Sequence, residues 1–147
     1  MRPPQQFALD VEKFTRQTKG RLEEFTVEFI QDLNEEIVLR TPVDTGFLRA
    51  SWWSALNARP GAGAAPGNDK AGALTVAKLN LTAASIRLGD TYFMTNGAAY
   101  AMRLEYGFVG KDSLGRSYNQ SPRGFVRAVL GRAQSIAAKT AARVGRR

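Results

Sequence analysis

The chain has no cysteine and no histidine among its 147 residues. Without cysteine there is no disulfide and no thiolate metal site. Without histidine, Ser-His and Cys-His nucleophiles, imidazole metal ligands and a neutral-pH imidazole switch are excluded too. A carboxylate pair or a lysine nucleophile is what remains for catalysis. Long apolar runs are also missing, since no stretch approaches the ~18 consecutive apolar residues of a membrane helix. The start, Met1-Arg2-Pro3-Pro4-Gln5-Gln6, leads into a charged helical pattern. No secretory signal or membrane contact is therefore expected, and the chain should be made and used, or assembled, in a cytosol-like compartment.

Acidic residues are nearly absent from one end. Residues 111–147 hold nine basic and one acidic side chain, whereas residues 1–40 hold six and eight. The formal net charge of +8 is thus a property of the last quarter. Such a segment can meet nucleic acid, an acidic protein surface or anionic lipid, or can simply be a solvated face with a frayed tail.

What is present reads as one α+β domain spanning 1–147. Phe14, Thr18, Leu22, Phe25, Phe29, Leu33 and Ile37 recur at steps of 3 and 4, which predicts one long helix over 7–40, weakened at Gly20. A helix of roughly 50 Å is long for so small a domain, so part of it is expected on a partner or a neighbouring copy. Thr41-Pro42 stops it. Val43-Asp44-Thr45-Gly46 reads as a turn, with Asp44 accepting from nearby N–H groups and Gly46 free to take positive φ. Leu48 to Leu56 reads as a strand or a short helix turning into one. Of the 17 residues 57–73, 12 are Gly, Ala or Pro, which predicts a flexible loop insertion. Residues 74–95 read as several short strands of a small, mainly antiparallel sheet, with a bulge or a boundary between Val76 and Leu79. A short helix over 98–106, a loop over 107–124 and a helix over 125–143 complete the order, the helices laid on the sheet. A basic tail follows over 138–147.

Two enzymatic readings can be weighed. Asp44-Thr45-Gly46 matches the triplet of retroviral-type aspartic proteases, which share one proton between two carboxylates. Those enzymes are nearly all-β, whereas here the triplet follows a long charged helix and a proline. Asp44 with Glu105 would make a glycosidase pair, but Glu105 reads as a local cap or a partner of Arg103 or Arg49. The stretch from Arg116 to Arg147 has eight bases and no acid. It allows weak, salt-sensitive phosphate contact, so a nucleic-acid-associated protein is the generic alternative.

Three blocks carry a resemblance. The first is Thr41-Pro42-Val43-Asp44-Thr45-Gly46-Phe47-Leu48-Arg49-Ala50-Ser51-Trp52. The second is Tyr92-Phe93-Met94-Thr95-Asn96-Gly97-Ala98-Ala99-Tyr100-Ala101, followed by Leu104-Glu105-Tyr106-Gly107. The third is Ser121-Pro122-Arg123-Gly124-Phe125-Val126-Arg127. In this order, after a long helix, they resemble the neck or tail-completion (head–tail joining) proteins of long-tailed double-stranded DNA bacteriophages. Ala99 stands where that family often has proline, and the 57–73 loop and the basic tail lie outside its pattern.

The resemblance implies a virion structural protein without catalysis, cofactor or metal. It implies a homo-oligomeric ring at the head–tail interface, six-fold or alternatively of twelve subunits, assembled in the host cytoplasm. Its neighbours would be the head connector or adaptor proteins and the tail terminator or tail tube protein, with non-specific DNA contact as a further expectation. In that reading Asp44 holds a turn and Gly46, Gly97 and Gly107 take special backbone angles. Trp52, Tyr100 and Tyr106 fill core or subunit contacts. The charge segregation, independently of the resemblance, leads to the expectation that Arg123, Arg127, Lys139 and Arg143 form a basic contact face meeting the acidic first helix of the next copy. The 57–73 loop, outside the family pattern, either orders on a partner, the tail terminator or the connector, or is a passive flexible insertion.

Overall fold

The computed structural model describes residues 3–61, 63 and 66–147. Helix α1 runs unbroken from Pro4 to Arg40, with proline at its start, where the missing N–H costs nothing. Thr41 leaves the helix at ψ 126° ahead of Pro42. After it come α2 (Phe47–Ala50) and β1 (Trp52–Leu56), then α3 (Ala73–Ala83) and β2 (Tyr92–Asn96). The rest is α4 (Ala101–Tyr106), β3 (Phe108–Lys111), β4 (Ser117–Gln120), α5 (Phe125–Leu130) and α6 (Ala133–Gly145). The fold is α+β, as expected. Instead of one sheet there are two antiparallel pairs, β1 with β2 (Trp52 opposite Asn96) and β3 with β4 (Phe108 opposite Gln120).

Three expectations about the elements are corrected. Residues 73–83 are helical, so there is no bulge between Val76 and Leu79. Thr75, Leu79 and Ala83 are its buried positions, at the four-residue spacing of a helix face. The additional apolar residues Leu74 and Leu81 masked that period. The expected loop 107–124 holds the β3–β4 hairpin, whose turn is tied by Gly115 N–H donating to Asp112 O (3.0 Å). The predicted last helix divides at Gly131-Arg132 into α5 and α6, which lie chiefly along α1.

The core joins Ile37 and Val38 of α1 with Leu48, Trp52, Leu79, Phe125, Val129 and Ile136. Val38, Leu79 and Val129 are fully buried, each contributing about 1.5–3 kcal/mol. The supposed basic tail is mostly α6, fastened to α1 by charge. Arg143 binds Glu28 (2.9 Å) and Asp32 (2.9 Å), and Arg147 binds Glu24 (2.9 Å) and Glu28. Arg132 reaches Glu36 at 3.1 Å. The acid–base match expected between copies is therefore made inside one chain.

Candidate functional site

The three sequence blocks fold onto one another. In the first, Thr41 and Trp52 are buried together, Trp52 Nε1–H donating to Thr41 Oγ1 (2.9 Å) and Thr41 Oγ1–H to Ile37 O (2.7 Å). Arg49 closes the end of α1. Its guanidinium donates to Leu39 O (2.6 Å), Thr41 O (3.1 Å) and Lys70 O (2.6 Å). Leu39 O and Thr41 O are carbonyls that the end of α1 leaves without helical partners, and Lys70 O ties in the returning loop.

Gly46 is where the 57–73 loop returns. Its φ is +90°, its carbonyl accepts from Asp69 N–H (3.1 Å), and a Cβ there would sit 2.5 Å from Lys70 N. No side chain fits. Asp69, buried, then starts α3 by accepting from Gly72 N–H (3.0 Å), Thr75 N–H (2.8 Å) and the Thr75 hydroxyl (2.8 Å). Burial opposes its charge, but these donors and Arg49 prevail and hold the carboxyl below its ordinary range. At its other end the loop is tied by Asn57, which exchanges hydrogen bonds with Asp90 and Thr91. Residues 62, 64 and 65 of the predicted flexible loop lie outside the described residues.

The second block clasps the first. Asn96 Nδ2–H donates to Leu48 O (2.8 Å), and Gly97 N–H to Ser51 O (2.9 Å). Gly97 does not take positive φ, and a Cβ there would lie in ordinary contact, 3.9 Å from Ser51 O. Ala101, half-buried, packs on the core. Gly107 does take positive φ (82°), with Gln120 O and Pro122 where a Cβ would be.

The second and third blocks meet at Glu105. It is buried and accepts from Val126 N–H (3.0 Å), Arg127 N–H (3.0 Å) and Arg127 Nε–H (3.1 Å). It thereby caps α5 from another element, with its negative charge at the positive helix end. Burial raises its pKa, but the two backbone donors and the Arg127 guanidinium outweigh that and keep it ionised below the usual carboxylate range. The main chain agrees: Arg123 N–H donates to Leu104 O (2.7 Å) and Gly124 N–H to Glu105 O (3.1 Å). Gly124 sets the turn at φ 56° and Phe125 is buried beyond it.

Other expected roles are corrected. Asp44 is exposed and accepts no hydrogen bond among the described residues; Thr45 Oγ1 takes Phe47 N–H (3.3 Å) instead. Glu105 pairs with neither Arg49 nor Arg103; the latter lies over the Phe108 ring at 4.2 Å. Asp44 and Glu105 are thus an exposed turn residue and a helix cap, not a paired acid and base. Tyr100 and Tyr106 are exposed rather than core, and the Arg127 guanidinium lies 4.7 Å from the Tyr106 ring centre. Of the supposed basic face, Arg127 and Arg143 are held in ion pairs, while Arg123 and Lys139 are exposed without one among the described residues.

A shallow groove of about 260 Å³ is lined by Pro42 to Leu48, Tyr100, Leu104 and Arg123, so all three blocks contribute to it. Among the described residues no group of three or more carboxylates is placed to hold a metal ion, and no helix is long and apolar enough to cross a membrane. Asp69, missed by the sequence reading, was hidden in a low-complexity stretch; its spacing to Gly72 and Thr75 was the available signal. No protein-family model, curated protein or solved structure matches the chain.

Proposed function

We propose that the chain is a virion structural subunit of the neck or tail-completion kind, joining a phage tail to the head connector as a ring of identical copies. One observation carries this reading. The three blocks that resemble the family make a single interlocked framework, through Asn96 on Leu48, Gly97 on Ser51 and Glu105 on Val126 and Arg127. Residues that share a pattern because they hold one shape are expected to touch in this way. Arg49 and Glu105 of the framework, and Asp69 beside it, are taken up in closing or starting helices.

The nucleic-acid alternative is weakened by the same geometry, because Arg127, Arg132, Arg143 and Arg147 already face carboxylates. The protease alternative requires two Asp44 carboxylates buried together, and this residue sits on an exposed turn.

The test is reconstitution. Purified chain added to separately prepared DNA-filled heads and finished tails of its phage should raise the yield of joined, infective particles. Full joining without the chain, or peptide cleavage abolished by Asp44→Asn, would overturn the reading.

A further inference from the structure

Among the described residues, no other element packs on the apolar stripe of the first five turns of α1. Among the described residues, ion pairing from the later elements reaches Glu23, through Arg87, and Glu24, through Arg147. Residues 4–22 continue as helix beyond that point, roughly 28 Å at 1.5 Å per residue. Within this arm Phe7, Val11, Phe14 and Leu22 are 64, 46, 70 and 50% exposed. They lie on one face, in line with Phe25 and Phe29 of the covered half. Thr18 interrupts the stripe, but its hydroxyl already donates to Phe14 O (2.9 Å). A soluble chain seldom leaves such a stripe bare without a partner for it.

A second bare stripe lies on α3. This helix is apolar on two sides, the sequence of a helix buried all round. Its inner residues Thr75, Leu79 and Ala83 are buried, whereas Leu74 and Leu81, with Ala77 between them, face outward at 76 and 75% exposure. Both stripes repeat at steps of 3 and 4, the spacing at which two helices interdigitate.

They cannot meet within one chain. The inner side of α3 already rests on α1, through Asn34 and Gln31 on Asn80, and the arm is the unbroken continuation of that same helix. Charge favours the match. The arm's Lys13, Lys19 and Arg21 have no ion-pair partner among the described residues. The one charged residue of α3, Lys78, is folded onto Trp53, 3.6 Å from its ring centre. The last turn of α3 has no basic residue, so the negative end of its dipole is open to the arm's cations.

We infer that the arm of one copy packs along the outer face of α3 in the next copy. The contact rests on the ring reading above only in supposing that copies assemble. It is heterologous, so each copy gives its arm once and its α3 once, and the chain of contacts closes when the rotation per copy allows. A contact along the 11 residues of α3 is small beside the roughly 1,200 Å² at which stable interfaces begin, and closure reinforces it by engaging every copy twice.

Because the chain has no cysteine, engineered thiols report the contact cleanly. Full-length Phe14→Cys chain is mixed with full-length Leu81→Cys chain and oxidised. The expected product is a covalent dimer between unlike variants, with little from either variant alone and little when Val109→Cys, equally exposed on β3, replaces Leu81→Cys. Cross-linking of Phe14→Cys to itself, equal capture by Val109→Cys, or no dimer at all would overturn the inference. In parallel, Phe14→Glu should weaken self-association about thirtyfold in sedimentation without changing thermal unfolding. Normal rings from Phe14→Glu or Leu81→Glu chain would overturn this contact and leave the neck reading standing. Arm-to-α3 cross-links in a chain that joins no heads to tails would do the reverse.

Discussion

The two halves of α1 carry the same apolar stripe and differ in what lies on it. Over residues 23–40 the stripe is covered by α3, α5 and α6, and Ile37 and Val38 end at 7 and 0% exposure. Over residues 4–22 no other element among the described residues covers it, and Phe14 is 70% exposed. The periodicity of the two stretches is alike, so the difference belongs to tertiary structure. The covered half organises a monomer. The bare half adds little to folding and is open to a neighbour.

That contrast can be broken by mutation. The largest effect is expected in the covered half: Ile37→Ala should cost about 3–4 kcal/mol in urea unfolding. Gly46→Ala should cost about 3 kcal/mol in the same assay, because a Cβ at φ +90° would press on the Lys70 backbone. Glu105→Gln should cost about 2 kcal/mol, as Val126, Arg127 and the start of α5 lose an ionised acceptor. Smallest is the bare half, where Phe14→Ala should leave monomer unfolding within about 0.5 kcal/mol of the parent while impairing self-association. A cost at Phe14 matching that at Ile37 would mean that the arm is covered within its own chain.

The acid limb sharpens the same point. Glu105 and Asp69 have folded pKa values below their ordinary ones. Each therefore contributes stability that is complete above the ordinary carboxylate pKa. That contribution is lost as pH falls through the ordinary and then the folded value. The advantage of the parent over Glu105→Gln should shrink on acidification from neutral pH. An advantage that grew would contradict the capping role.

Much of the framework was legible in the sequence because its signals are local. Thr41-Pro42 ends a helix by sterics, Gly46 and Gly107 take the positive φ that glycine permits, and the stripe of α1 is a plain repeat. What was hidden depends on distant partners. Residues 73–83 were misread as strands because Leu74 and Leu81 add a second apolar face to the buried one. The β3–β4 hairpin has strands of four residues, too short to show alternation, and rests on the Asp112 turn. The segregation of charge was correctly seen and wrongly assigned. Composition cannot say whether Glu28 and Arg143 meet within a chain or between chains; the fold pairs them within one. Asp44 was prominent in its motif but makes no hydrogen bond among the described residues, whereas Asp69, in an unremarked stretch, holds a helix start.

The central claim is that this chain works by fitting against copies of itself through surfaces its own fold leaves bare. Electron microscopy of the purified full-length chain tests it most directly. Closed rings of identical subunits are expected, and they should disappear with Phe14→Glu while the variant stays folded. Dispersed monomers of the parent chain at every concentration examined would contradict it.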